Sequence, residues 1–268
     1  MKKAIVVLSG GQDSTTCLFL AKLHNLEVHA ITFDYGQNHR IEIDSAEKVA
    51  RMAGVKSFEV INVIGTLKST SPLTNDGEGL ERYENAQQMD SIIGDRIEKT
   101  FVPMRNQLFL TIAFNRAVAL GCKYIYTGIC QEDNANYPDC TYNFRECLEE
   151  ASNVGLGRNS QIGIITPLLN WSKAETVKRA YEMPECWEAL AYTHTSYDGK
   201  YPPTDMNHSN VLRAKGFEDA GLPDPLVLRA WVEGLMPLPE TANYDNFIHL
   251  SHSLYANKED MLKELLSA

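Results

Sequence analysis

A doubly wound, mostly parallel α/β sheet with a helical C-terminal lobe is the fold this chain predicts, on three observations. Short apolar runs rich in β-branched residues recur at Ala4 to Leu8, Val28 to Phe33, Ser57 to Val63, Tyr124 to Thr127 and Ile162 to Ile165, each the length of a buried strand. Helical patterns separate several of them, at Thr15 to His24, Ile41 to Ala53 and Asn106 to Ala119. That alternation favours parallel strands joined by right-handed crossovers. From Pro202 onward, Pro203, Pro223, Pro225, Pro237 and Pro239 punctuate shorter helices, which sets residues 191–268 apart as a lobe on a main domain of residues 1–190. Asn257 with Asp260 caps a last helix ending at Leu265 and Leu266, and the polar, glycine-bearing stretch Ser71 to Lys99 reads as a long loop or lid.

The first strand runs directly into Ser9-Gly10-Gly11-Gln12-Asp13-Ser14-Thr15. A glycine pair permits a tight turn and close backbone approach to a ligand. The helix that follows opens with backbone N–H groups lacking partners and a dipole that favours negative charge, so the turn is an anion cradle. Ser9, Ser14 and Thr15 add hydroxyl donors, and Asp13 is suited to Mg²⁺. No Gly-Lys-Ser/Thr follows, so this is not a Walker A loop, and a third glycine of the dinucleotide pattern is missing. An ordinary βα turn is the plain alternative.

Composition narrows the function. At 268 residues, 44% hydrophobic and 22% charged, the chain supports one substantial core. No run approaches 18 uncharged apolar residues, so no membrane span is expected, and no leader segment is visible; the cytoplasm is the default location. The six cysteines contain no Cys-x-x-Cys pair, which argues for reduced thiols rather than a redox motif or zinc ribbon. Net charge is −10, with 25 Lys and Arg against 35 acids and no basic run. Grip on nucleic acid draws on neutralised phosphates, so direct nucleic-acid binding is not expected.

Further chemistry-bearing segments follow in order: Phe33-Asp34-Tyr35-Gly36-Gln37 continuing to His39, Phe101-Val102-Pro103-Met104-Arg105-Asn106, Thr127 to Asp133, Tyr137-Pro138-Asp139-Cys140, and Thr166-Pro167-Leu168 with Lys173-Ala174-Glu175-Thr176. Each alone admits a plain reading: Arg105 as a cap or surface residue, Lys173 and Glu175 as a solvated first turn, His39 as a packed histidine, Tyr137 to Asp139 as a turn. Together, from Lys3 to Thr176 and more weakly through Leu212 to Phe217, they resemble the 7-cyano-7-deazaguanine synthase (QueC) family of the ATP pyrophosphatase (PP-loop) superfamily.

That resemblance implies a Rossmann-like, adenine nucleotide alpha hydrolase-like fold and an ATP- and Mg²⁺-dependent ligase. ATP adenylates the carboxylate of 7-carboxy-7-deazaguanine, ammonia displaces AMP to give the amide, and a second activation dehydrates the amide to the nitrile. It places ATP on Ser9, Gly10, Gly11, Gln12, Asp13, Ser14 and Thr15. Asp13, Arg105 and Lys173 take catalytic roles, and Asn106, Tyr137, Asp139 and Arg145 receive the substrate. A homodimer is compatible with it. A tRNA-thiolating or lysidine-forming relative would want a basic face, and an amidotransferase such as GMP synthetase would want an ammonia-generating domain; neither is present. A catalytically idle nucleotide-binding scaffold is the remaining alternative from another class.

Three departures stand out. Members of the family carry four cysteines for a structural zinc; here those positions are Ser196, Thr204, Asn207 and Asn210, and zinc favours thiolate, imidazole and carboxylate. No zinc is expected, the lobe being held by hydrogen bonds and packing; His194, His208 and Asp205 are the only substitute set. Thr141 stands where the family has Arg, and Arg145, one helical turn on, is expected to replace that guanidinium. The tail beyond Leu222 is long and carries Trp231, Tyr244, Phe247, His249, His252 and Tyr255, suited to packing against the body or a partner. These departures keep open a diverged enzyme that hands the activated acid to another amine, such as a protein N-terminus, in an antiphage or phage setting.

Overall fold

The computed structural model describes residues 2–24, 27–37, 40–74, 79–131, 136–157, 161–197 and 199–245. Among them, strands β1 (Lys3–Val7), β2 (Glu27–Asp34), β3 (Ser57–Asn62), β4 (Tyr124–Tyr126) and β5 (Gly163–Ile165) form one all-parallel sheet in the order β3-β2-β1-β4-β5. Val7 stands opposite Ile31, Val6 opposite Tyr126, and Tyr126 opposite Ile165. The chain thus leaves β1 toward β2 and β3, then returns to the other side for β4 and β5. This reversal opens a crevice between the carboxyl ends of β1 and β4, where ligands of such sheets bind.

Side chains alternate across the strands, and each face meets its own helices. Ala4, Val6, Val28 and Ala30 pack with Leu18 of α1 (Gln12–Leu23), Val49 of α2 (Ile41–Ala53), Val177 of α6 (Lys173–Tyr181) and Trp187 of α7 (Pro184–Leu190). Ile5, Ile31, Phe33 and Ile164 pack on the opposite face with Leu110 and Phe114 of α4 (Arg105–Leu120), flanked by Phe144 and Leu148 of α5 (Tyr142–Leu156). Helix α1 begins at Gln12 rather than Thr15. Gly10 turns the chain at φ 87, and Asp13 in the first turn suits the positive end of the helix.

The stretch from Ser71 to Lys99 is not the open loop or lid its polarity suggests. It contains α3 (Ala86–Ile93), capped by Asn85, whose side chain accepts from the Gln88 N–H. Tyr83, Ala86, Met89 and Ile93 are buried against Val211 and Leu212 of α8 (His208–Ala220). The apolar positions follow helical spacing, but Gln87, Gln88, Asp90 and Ser91 dilute the local hydrophobicity that would have announced it.

Helix α8 joins the main core as well: Phe217 is fully buried in the same cluster as Trp187 and Leu190. Arg213 of α8 forms a buried pair with Asp224, which also caps α9 (Pro225–Val232). In the tail, Tyr244 packs with Val227 and Leu228, beside Trp231, Met236 and Leu238. The expected last helix at Asn257 to Leu266, and Phe247, His249, His252 and Tyr255, lie outside the described residues.

Candidate active site at the sheet switch point

A cleft of about 640 Å³ opens between the β1 and β4 ends, lined by the glycine loop, the starts of α2, α4, α6 and α8, and the segments after β2 and β4. Its size suits a nucleotide-scale ligand. The loop is knitted internally. Ser14 Oγ accepts from the Ser9 N–H at 3.1 Å and lies 3.0 Å from Ser9 Oγ, which accepts from the Gly11 N–H at 3.3 Å. A Cβ on Gly10 would lie 2.3 Å from the Glu42 carbonyl oxygen, so only glycine lets α2 press against the turn. Gly128 after β4 has a matching role, since a Cβ there would meet Ser14 N at 2.9 Å.

Helix α1 starts with no side-chain cap on its N-terminus. Gln12 Nε2 and Thr15 Oγ1 are buried with no hydrogen-bond partner among the described residues. Unpaired donors behind a glycine turn at a helix start fit a phosphate chain. Lys173 Nζ reaches Asp13 Oδ2 at 2.7 Å, tying the first turn of α6 to that of α1. The lysine is held at the first residue of α6 by a capping box, Ser172 accepting from the Glu175 N–H while Glu175 accepts from the Ser172 N–H. Gly216 of α8 leaves room for its stem: a Cβ there would lie 2.5 Å from Lys173 Cγ. Asp13 and Lys173 stand in motifs of the sequence; Gly216 falls in the weaker Leu212 to Phe217 segment, which gives no sign of its contact with Lys173.

At the other end, Met104 takes the left-handed conformation (φ 67) and aims the start of α4 inward, so that Arg105 and Asn106 line the cleft. Arg105 lies over the Tyr35 ring at 5.9 Å. Asn106 Nδ2 donates to the Asp139 carbonyl at 3.4 Å and approaches Cys140 Sγ at 3.5 Å. Tyr137 lines the wall, and Asp139 is buried behind it at the start of a 3-10 turn, Pro138–Cys140. Burial raises the Asp139 carboxyl above its ordinary range, and Arg105 opposes that rise. The Tyr137 hydroxyl contacts Thr100 Oγ1 at 2.5 Å and donates to Glu98 Oε2 at 3.2 Å. Glu98, 2% exposed, also accepts from Thr100 and from Tyr83. Glu98 and Thr100 fell within and beside the stretch read as a lid; their role appears only once Tyr137 is folded onto them.

Arg145 is not brought to the cleft. Its guanidinium donates to the Ile164 carbonyl at 3.2 Å and to Glu149 at 3.3 Å, and stacks over Tyr142. The i,i+4 spacing from Thr141 holds, but α5 turns that face toward β5. Thr141 is the N-cap of α5, accepting from the Phe144 N–H. His39, Glu132 and Asp133 lie outside the described residues.

The zinc positions do not fit the metal. Asp205 sits among them and its carboxylate accepts from Ser196 Oγ, Asn207 Nδ2 and Asn210 Nδ2. Asn207 meanwhile caps α8 through its Oδ1. Zinc would need thiolate, imidazole or more carboxylate here. Among the described residues no three His, Cys, Asp or Glu side chains group to hold a metal, so His194, His208 and Asp205 do not assemble into one. Both histidines instead line the cleft, and the His194 N–H donates to the Gly10 carbonyl at 2.9 Å.

Sheet order, glycine turn and the lysine–carboxylate pair define a nucleotide-binding α/β protein of the PP-loop kind. Residues 3–221 match the family model described as queuosine biosynthesis protein QueC, and the chain belongs to that family. The 7-cyano-7-deazaguanine synthase of Gloeobacter violaceus is 45% identical over 229 residues, covering 84% of this chain and 96% of its own. That of Chromobacterium violaceum is 44% identical over 234 residues, covering 87% and 96%. Among solved structures, the NH3-dependent NAD synthetase of Campylobacter jejuni aligns over 98% of this chain and 83% of its own at 14% identity. Its TM-score of 0.39 is too slight to bear on function.

Proposed function

We propose that this chain is an ATP-dependent ligase that adenylates 7-carboxy-7-deazaguanine and couples it to ammonia, giving 7-cyano-7-deazaguanine through the amide. The observation that carries this is the 2.7 Å pairing of Lys173 with Asp13 at the mouth of the glycine turn, in a chain 45% identical to a synthase of that name. A carboxylate is a poor electrophile until one oxygen becomes a leaving group, so the first task is to hold a triphosphate still while the acid meets its α-phosphorus in line. Backbone N–H groups of Gly11 to Ser14, with Gln12 and Thr15 behind them, receive the β and γ phosphates. Lys173 and Arg105 offset the charge that develops on the α phosphate and the departing pyrophosphate. Mg²⁺, held by Asp13, would neutralise phosphate charge when bound.

Asn106, Tyr137 and Asp139 read the base, Asp139 accepting from its guanine-like N–H edge. Tyr137 is braced for this by Glu98 and Thr100. No disulfide joins the six cysteines, and no described helix is long and apolar enough to cross a membrane. The test is direct: enzyme, ATP, the acid and ammonium, with products read by mass spectrometry. Nitrile with two AMP per turnover is expected. AMP without nitrile would transfer the acyl group to another amine, and no AMP would end the ligase reading.

A further inference from the structure

The conversion of ammonium to a nitrile nitrogen removes four N–H protons from one atom. Two leave as ammonium becomes the amide: one to free the lone pair for attack on the acyl carbon, one as the C–O bond to AMP breaks. Two more leave in the second round, one as the amide oxygen attacks the α-phosphorus of ATP and pyrophosphate departs. The last leaves as the imidoyl C–O bond breaks, releasing AMP and the nitrile. Each step needs a base facing the same point in the cleft, and none of the residues assigned above serves as one.

Most titratable groups there are already engaged. Asp13 pairs with Lys173. Glu98 is occupied by Thr100, Tyr137 and Tyr83. The His194 Nε2 lies 2.7 Å from the Ser196 carbonyl, and Cys130 donates to the Trp171 carbonyl. Glu42 differs. It is the second residue of α2, its backbone carbonyl closes on Gly10, and its side chain lines the cleft. Its carboxylate accepts no hydrogen bond among the described residues. Among the described residues, the charged or titratable groups that face it are Arg105 from α4, Tyr35 from the segment after β2, and Tyr197 from the segment before α8.

We infer that Glu42 is the amine site of this enzyme: its carboxylate binds the incoming ammonium beside the glycine loop and takes each N–H proton as the nitrogen bonds to carbon. This rests on the ligase reading given above. Burial raises the Glu42 carboxyl to about 7, with Arg105 opposing the rise. A base poised near neutrality both accepts a proton from nitrogen and returns it to solvent between steps. Arg105 keeps enough positive charge nearby for the anion to persist until the ammonium arrives.

The experiment compares the unaltered enzyme with Glu42→Gln and Glu42→Asp, measuring acid-dependent pyrophosphate release without ammonium and amide formation with it. For Glu42→Gln, loss of about 100-fold in amide formation is expected, against a change of about threefold in pyrophosphate release. Glu42→Asp should recover part of the loss. Hydroxylamine, which arrives already neutral, should restore acyl transfer in Glu42→Gln. Equal loss in both steps would make Glu42 a support of the ATP end and overturn the assignment, as would amide formation at the unaltered rate. An unaltered enzyme that releases no pyrophosphate with the acid removes the ligase reading itself, and this site with it.

Discussion

The cleft beside the glycine turn and the knot beneath the start of α8 draw on similar polar side chains and pair them to different degrees. At the cleft, Gln12 Nε2, and behind it Thr15 Oγ1, are buried with no partner among the described residues, and the Glu42 carboxylate accepts no hydrogen bond from those residues. In the knot, Asp205 gathers donors from Ser196, Asn207 and Asn210. One step along α8, Arg213 gives its guanidinium to Asp224, Thr193, Thr195 and the Leu190 carbonyl. Buried polar groups are ordinarily paired, and the two regions meet that demand to different degrees. In the knot the Asp205 carboxylate supplies an acceptor from within the chain, although Asn210 Oδ1 is buried without a partner among the described residues.

That contrast can be broken at either end. Lys173→Met should lower acid-dependent pyrophosphate release by about 10²–10³-fold, with little movement of the melting temperature. A melt that falls in step with the rate would make the lysine structural. Asp224→Ala strands the Arg213 charge, which is 3% exposed, and should cost about 3–5 kcal/mol in urea denaturation. Gly216→Ala probes the packing of α8 on Lys173. The added Cβ, 2.5 Å from Lys173 Cγ and 2.9 Å from its Cβ, should displace the lysine and cut turnover by about 10–100-fold, with some loss of stability as α6 and α8 move apart. Asp205→Ala removes the carboxylate that Ser196, Asn207 and Asn210 donate to, leaving Asn210 only the backbone carbonyl of residue 205, and should cost about 1–3 kcal/mol. A chelator should leave the melting temperature of the unaltered protein where it was, and a drop on chelation would place a metal in the knot.

Much of the site was legible locally because its chemistry is consecutive. Ser9 to Thr15, Arg105 with Asn106, and Tyr137 to Asp139 each announce themselves as short segments after strands or at helix starts, and the fold brings part of each to one cleft, with Thr15 and Asp139 buried behind its wall. Arg145 was misplaced for a physical reason: i,i+4 spacing says which residues share a face of α5, not which way that face turns, and here it turns to Glu149 and β5. The sequence hides helix α3 because its apolar face is narrow and is buried against Val211 and Leu212, more than a hundred residues away, together with Tyr83. Glu98 and Glu42 carried no motif at all. A carboxylate reads as a surface charge until the chain buries it.

Alternating apolar runs and the glycine turn were enough to specify a parallel sheet with a phosphate cradle at its switch point, because strand burial and helix-start electrostatics are local properties of consecutive residues. Which acids become special was decided by the tertiary structure alone. Desolvation and pairing arise between segments distant in the chain: Lys173 on Asp13, Glu98 under Tyr137, and Glu42 brought against Arg105.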